Sequence, residues 1–359
     1  MFFAIITAAP TEQPKALRFS VETQVSNTTS LVKRNGNKVA IKVLPMQVFI
    51  HFVTANIAGQ IFKLVFDTGS SDFWVMSNQV PRQQRGNHFL YRVREAARVP
   101  GYMFNVEYMD GSHIKGNIYG EPMNIGGLQI DHQLFGAAQE VNPRITKAKV
   151  DGVIGLGFHY AQTVRPPAVP TFWDNIKHKL EKPVFAIALG YMREGRFDFG
   201  FVDHTKYRGP LTYVPVFNVT GAWMVQAKYY RVGTSNVTYR YPMLATVDTG
   251  TSVLSLPSPV VFTYYKNVDG ALRDPLSLHW YYPCRVTLPD FTLFFGNHKA
   301  VVPGKHLDLG PIAKGSSLCL GGIAESYEAI LGVSFLVSQY VVFEPEIPRL
   351  GFAQQVHSY

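Results

Sequence analysis

Two tripeptides, Asp67-Thr68-Gly69 and Asp248-Thr249-Gly250, occupy matched contexts in the two halves of the chain. Each ends an apolar run, Leu64-Val-Phe or Ala245-Thr-Val, and each is followed by hydroxyl residues, Ser70-Ser71 or Thr251-Ser252. A single copy is an ordinary turn, with Asp hydrogen-bonding its own backbone and Gly taking positive φ. Two copies in the same setting describe a pair of carboxyls. Gly69 and Gly250 permit the tight turn that carries each carboxyl outward. Thr68 and Thr249 can tie the two turns together, and Ser70 and Thr251 stand where a hydroxyl reaches the outer carboxylate oxygens. Two carboxyls held about 3 Å apart cannot both ionise, so one keeps its proton over a wide pH range. The ionised member can then take a proton from water while the neutral one polarises a carbonyl. Such chemistry needs no metal, no cofactor and no nucleophilic side chain.

The elements that must position these carboxyls are strands. Val48–Val53, Ile61–Phe66, Val184–Leu189 and Gln339–Phe343 are short runs rich in Val, Ile, Phe and Tyr, bounded by turn residues. Helical periodicity is scarce. The segment Thr171–Leu180 is the best helix candidate, capped by Thr171 and stopped by Pro183. An internal repeat sets the architecture. Downstream of the first tripeptide lies Gly152-Val-Ile-Gly-Leu-Gly157, and about equally far beyond the second lies Ala329-Ile-Leu-Gly-Val333. This order predicts a mainly-β chain of two homologous lobes with a cleft between them.

The 359 residues are long enough for two domains, and 47% are hydrophobic, sufficient for a sizeable core. No apolar run approaches the ~20 residues of a membrane span. The net charge of +9 raises a nucleic-acid reading. Its densest cluster, Arg82, Arg85, Arg92, Arg94 and Arg98, lacks any nucleic-acid-binding spacing and reads as a solvated basic loop. The apolar start, Met1–Ala9, is either a truncated secretory signal or a plain N-terminus. Cys284 and Cys319 allow one disulfide. Asn27-Thr-Thr, Asn218-Val-Thr and Asn236-Val-Thr are glycosylation acceptors in a secretory protein. Together these features favour secretion or a lysosome-like compartment.

From about residue 48 to 355 the chain resembles the pepsin family of aspartic peptidases. Asp67-Thr-Gly-Ser-Ser-Asp-Phe-Trp-Val75 and Val247-Asp-Thr-Gly-Thr-Ser252 resemble that family's two active-site segments. The resemblance implies a bilobal pepsin-like fold of two β-barrel-like lobes, with Asp67 and Asp248 as the catalytic pair. Tyr108-Met-Asp-Gly-Ser112 resembles the flap that closes over substrate. Tyr108, Asp110 and Gly111 are then flap residues, and Trp74 supports Tyr108. Cys284 and Cys319 resemble the C-terminal-lobe disulfide. The implied division is a signal remnant and basic zymogen pro-segment over residues 1–42, with Lys33-Arg34 a processing point, then lobes over 43–195 and 196–359. The implied activity is cleavage of polypeptides between bulky apolar residues at acidic pH, by a monomer without nucleic-acid partners. The alternative is a catalytically weak relative that binds peptides.

Four departures stand out. Met109 occupies a common Gly position of the flap, Gln79–Gly101 is basic and lacks a cysteine loop, and Arg144 stands where a large apolar residue often lines the pocket. Val333 replaces a frequent Asp or Ala; it offers the pair no hydrogen bond and displaces water, which predicts an optimum at about pH 4–6.

Overall fold

The computed structural model describes residues 37–47, 50–217 and 220–356. Strands dominate these residues, with only four short α-helices among them. The strand Ile50–Ile57 displays the period of two: His51, Val53, Ala55 and Ile57 are buried and Thr54 is exposed. Phe185–Gly190 is buried along its whole length, because it runs between Arg193–Phe199 and Gln339–Glu344 with both faces covered.

The largest sheet has 13 strands and joins the two halves of the chain. Arg349–Gln355 and Gln339–Glu344 from the second half continue through Phe185–Gly190, Arg193–Phe199 and Val39–Gln47 into the first-half strands. A 7-stranded and a 4-stranded sheet complete the second half. The result is a bilobal, barrel-like β architecture. The lobes are fastened by an aromatic joint. Phe185 stacks on Phe343 with centroids 4.5 Å apart, Trp223 meets Phe343 edge-on, and the Trp223 indole N–H donates to the Leu156 carbonyl at 2.9 Å.

The internal repeat becomes a pair of matching strand arrangements. Gln60–Asp67 runs parallel to Gly152–Gly155, with Phe73–Val75 antiparallel beside it. In the second half Tyr239–Val247 runs parallel to Ala329–Leu331, with Leu254–Leu256 antiparallel beside it. Each Asp-Thr-Gly therefore leaves a strand that is clamped by its downstream aliphatic-Gly segment.

Thr171 caps its helix as expected: its hydroxyl accepts from the Asp174 N–H at 3.1 Å while the Asp174 carboxylate accepts from the Thr171 N–H. The α-helix is shorter than predicted, Phe172–Ile176, and tightens into a 3₁₀ turn at Lys177–Lys179. Cys284 and Cys319 form a disulfide. Val39–Lys42, grouped in the sequence with the leader, pair with Arg196–Phe199, and Val39 and Ile41 are buried. Residues 1–36, with Lys33-Arg34 and Asn27, lie outside the described residues, as does Asn218. Asn236 is exposed in the turn between two strands.

Candidate active site

Asp67 ends the strand Gln60–Asp67 and Asp248 directly follows Tyr239–Val247. The downstream glycines let the chain cross beneath these turns without side chains. A Cβ on Gly155 would lie 2.5 Å from the Ser71 carbonyl carbon, and one on Gly332 would lie 2.2 Å from the Val253 oxygen. The turns themselves also approach closely: a Cβ on Gly69 would meet Asp248 Cγ at 2.5 Å. Glycine at 69 is thus required by the neighbouring carboxyl.

Thr68 and Thr249 lock the two turns in a reciprocal exchange. The Thr68 hydroxyl donates to the Val247 carbonyl at 2.8 Å and the Thr249 hydroxyl to the Phe66 carbonyl at 2.7 Å. Each hydroxyl oxygen also accepts from the other threonine's backbone N–H, both at 3.0 Å. All four groups are buried, so each bond lost would leave an unpaired polar group.

Inside this frame Asp67 and Asp248 are both buried. Asp67 Oδ1 accepts from the Gly69 N–H at 3.0 Å and Asp248 Oδ1 from the Gly250 N–H at 2.7 Å. The outer oxygens accept from hydroxyls, Asp67 Oδ2 from Ser70 and Asp248 Oδ2 from Thr251. Burial raises the Asp67 pKa well above the ordinary carboxyl value, and the charge of Asp248 and a hydrogen bond to it add to the rise. A pair in this state carries one shared proton. It holds a base and an acid side by side, the equipment for activating water against a carbonyl.

Near the pair is the hairpin of Arg98–Glu107 and His113–Ile125, whose Tyr108 feels the charge of Asp67. Its turn is self-bonded: the Tyr108 N–H donates to the Ser112 carbonyl and the Gly111 N–H, at positive φ, to the Tyr108 carbonyl, both at 2.8 Å. Asp110 builds the turn, accepting from the Ser112 N–H at 2.7 Å and its hydroxyl at 2.9 Å. Asn142 donates to the Gly111 carbonyl at 2.6 Å and tethers the tip to the helix Pro143–Lys147. The Trp74 indole N–H donates to the Tyr108 hydroxyl at 2.6 Å. Tyr108 is only 5% exposed and packs with Val65, Phe104, Ile114 and Val153. Burial, and then the charge of Asp67, holds its phenol protonated far above neutrality. Met109 is exposed.

The remaining sequence candidates separate. In the basic segment, Arg94 Nε donates to Glu121 at 2.8 Å, and this buried carboxylate also accepts from Tyr91 at 2.6 Å. Arg85 donates to the Val80 and Asn78 carbonyls and Arg98 pairs with Glu95. Arg82, Arg92 and Arg144 are exposed. Val333 is fully buried, and its N–H donates to the Thr251 carbonyl at 2.7 Å. Among the described residues no three His, Cys, Asp or Glu side chains gather closely enough to hold a metal ion, and no helix is long and apolar enough to cross a membrane.

Sequence reasoning missed one acid. Asp72 is buried and accepts from the Thr163 N–H at 3.0 and 3.1 Å and from its hydroxyl at 3.2 Å. Burial outweighs these bonds and lifts its pKa to about 6. Its place directly before the apolar run Phe73-Trp74-Val75 was the available signal.

Comparison with known proteins agrees with this geometry. The family model described as eukaryotic aspartyl protease matches residues 52–355. Aspergillopepsin-1 of Aspergillus flavus is 38% identical over 312 residues, covering 85% of this chain and 77% of that protein. Penicillopepsin-1 of Penicillium rubens is 39% identical over 310 residues, covering 85% and 78%. Aspergillopepsin-1 of Aspergillus clavatus is 37% identical over 330 residues, covering 90% and 84%.

Proposed function

The chain belongs to the eukaryotic aspartyl protease family and is an aspartic-type endopeptidase, and from that premise we propose that Asp67 and Asp248 are its catalytic pair, working in acid on bonds flanked by bulky apolar residues. One observation carries the reading. Two buried carboxyls face each other across turns locked by Thr68 and Thr249, with one inner N–H and one outer hydroxyl on each.

In the proposed reaction the ionised member takes a proton from a water molecule, and the water oxygen bonds to the carbonyl carbon of the substrate. The neutral member hydrogen-bonds the carbonyl oxygen as it gains charge. Collapse of the tetrahedral intermediate passes a proton to the departing amide nitrogen, breaks the C–N bond and restores the shared-proton state. Ser70 and Thr251 keep the outer oxygens in register. The Tyr108 hairpin orders the substrate and excludes water. Support for an apolar preference comes from the Tyr108 ring, backed by Phe104, Ile114 and Val153. Support for acid comes from Asp72, whose buried carboxyl holds its proton up to about pH 6.

The disulfide favours passage through an oxidising secretory route, towards secretion or an acidic lysosome-like compartment. A pro-segment, in this reading, ends before Val39, because Val39–Lys42 belong to the central sheet. The two lobes divide near residue 195.

The test is hydrolysis of acid-denatured globin by the purified protein, with and without a statine-type transition-state mimic. Cleavage in acid that the mimic blocks is expected. Binding of the peptide without turnover would favour the alternative of a catalytically weak relative.

A further inference from the structure

We propose that a basic rim beside the flap recruits polypeptides that carry acidic residues flanking the scissile bond. The inference rests on the hydrolysis proposed above and adds a charge preference to it.

The rim joins two segments distant in sequence. The Thr146 hydroxyl donates to the Gln84 carbonyl at 2.9 Å, and His88 Nε2 meets the Ile145 carbonyl at 3.0 Å. Gly86 is pressed so closely on Thr146 that a Cβ there would lie 2.2 Å from its oxygen. These contacts set the segment that carries Arg82 and Arg85 against the one that carries Arg144, Lys147 and Lys149. The same helix begins at Asn142, whose side chain holds the Gly111 carbonyl of the flap. The cationic surface is therefore physically continuous with the turn that closes on substrate.

Its charges are available. Arg82, Arg144, Lys147 and Lys149 are exposed and take part in no ion pair among the described residues. Arg94 and Arg98, in contrast, are committed to Glu121 and Glu95. The neighbouring acids are mostly committed elsewhere. Asp151 accepts from the Phe89 and Lys63 N–H groups and lies 3.5 Å from His88. Asp110 is turned onto Ser112, and Glu140 pairs with Lys115. His113 is bonded to Asn105. Glu107 stays exposed on the flap strand and offsets part of the field. Four unpaired cations against that one carboxylate leave a local positive excess, on a chain already at +9, and it attracts anionic chain segments.

Each carboxylate engaged at such an exposed site is worth about threefold in kcat/KM, so two give about tenfold. The experiment compares matched peptides with one scissile sequence and two flanking Glu or two flanking Gln, placed on either side of the bond. The wild type should prefer the Glu peptide about tenfold near pH 5.5 and lose the preference near pH 3, where the Glu carboxyls are protonated. High salt should also erase it, since the screening length is about 3 Å at 1 M. Arg82→Glu with Lys149→Glu should reverse the preference and leave Gln-peptide hydrolysis unchanged.

Equal cleavage of the two peptides by the wild type would overturn the proposal. A preference that survives charge reversal, or persists at pH 3, would do the same. Inhibition by heparin without any discrimination between the peptides would replace it with a polymer-binding patch. Failure to cleave the Gln peptide in a mimic-sensitive way is a separate outcome, which sinks the underlying endopeptidase reading.

Discussion

Replacing Asp72 with Asn should change how stability depends on pH, and the sign follows from burial. The folded Asp72 binds its proton up to about pH 6, against 3.8 when free in solution. Between those values the folded state holds more protons than the unfolded chain, so stability falls as pH rises through the window. Moving one carboxyl that far corresponds to about 3 kcal/mol, fully lost by neutral pH. Asp198, buried beside Arg196, is likewise lifted to about 6 by burial and adds a loss of similar size. His51 acts in the opposite sense. Burial lowers it to about 4, so its share of stability is present above about pH 6.5 and disappears as pH falls. The wild-type curve is therefore a difference of opposing terms, and its slope alone decides little.

The comparison of Asp72→Asn with wild type isolates one term, because Asn keeps the shape and can still accept from the Thr163 N–H and donate to its hydroxyl. Both proteins should carry Asp248→Asn to prevent autolysis during urea or thermal unfolding. The variant should gain about 3 kcal/mol on wild type between pH 4 and pH 7, visible as several degrees of relative Tm at this chain length. A gap that is constant with pH, or that widens in acid, would mean that the Thr163 bonds hold Asp72 as an anion and that the burial argument is wrong.

Asp67→Asn and Asp248→Asn should each abolish turnover of a chromogenic peptide while circular dichroism stays native, since the pair needs one neutral and one ionised carboxyl; activity above a few per cent in either would end the mechanism. Tyr108→Phe should leave the buried Trp74 N–H unpaired and cost about 1–3 kcal/mol of stability, together with a loss in kcat/KM measured on the folded fraction. An unchanged kcat/KM would make Tyr108 a packing residue only. Opening the Cys284–Cys319 bridge by a Cys284→Ser, Cys319→Ser double variant should cost about 3–4 kcal/mol in urea unfolding on loop-entropy grounds, and an unchanged midpoint would contradict it.

The two turns of the proposed catalytic pair stood out in the sequence because the geometry of each is local. Asp-Thr-Gly needs only a strand before it, a glycine within it and a clamp after it, and the repeat supplies all three twice. The Thr171 cap was readable for the same reason, and the disulfide because the chain has only two cysteines. Tyr108 was harder. The flap reading places it on an exposed tip, yet it is buried among Val65, Phe104 and Val153 and bonded to Trp74. Much of that burial comes from Val65, Trp74 and Val153, which are distant in sequence. Val39–Lys42 failed to stand out because a short basic stretch reads alike as leader or edge strand until Arg193–Phe199 is seen to pair with it.

Long-range burial also changes what two departures from the family pattern mean. Val333 was read as removing a hydrogen bond from the dyad. Its side chain instead lies in the hydrophobic core, and its N–H donates to the Thr251 carbonyl of the second turn. Any influence on the dyad must pass through the backbone position of Thr251, so an Asp at 333 would first have to solve its own burial. The basic segment divides for a similar reason. Arg94 was indistinguishable in sequence from Arg82, but Glu121 is buried and would be an uncompensated charge without it. One arginine is thereby held in the architecture, and the other is left facing solvent beside the helix that tethers the flap.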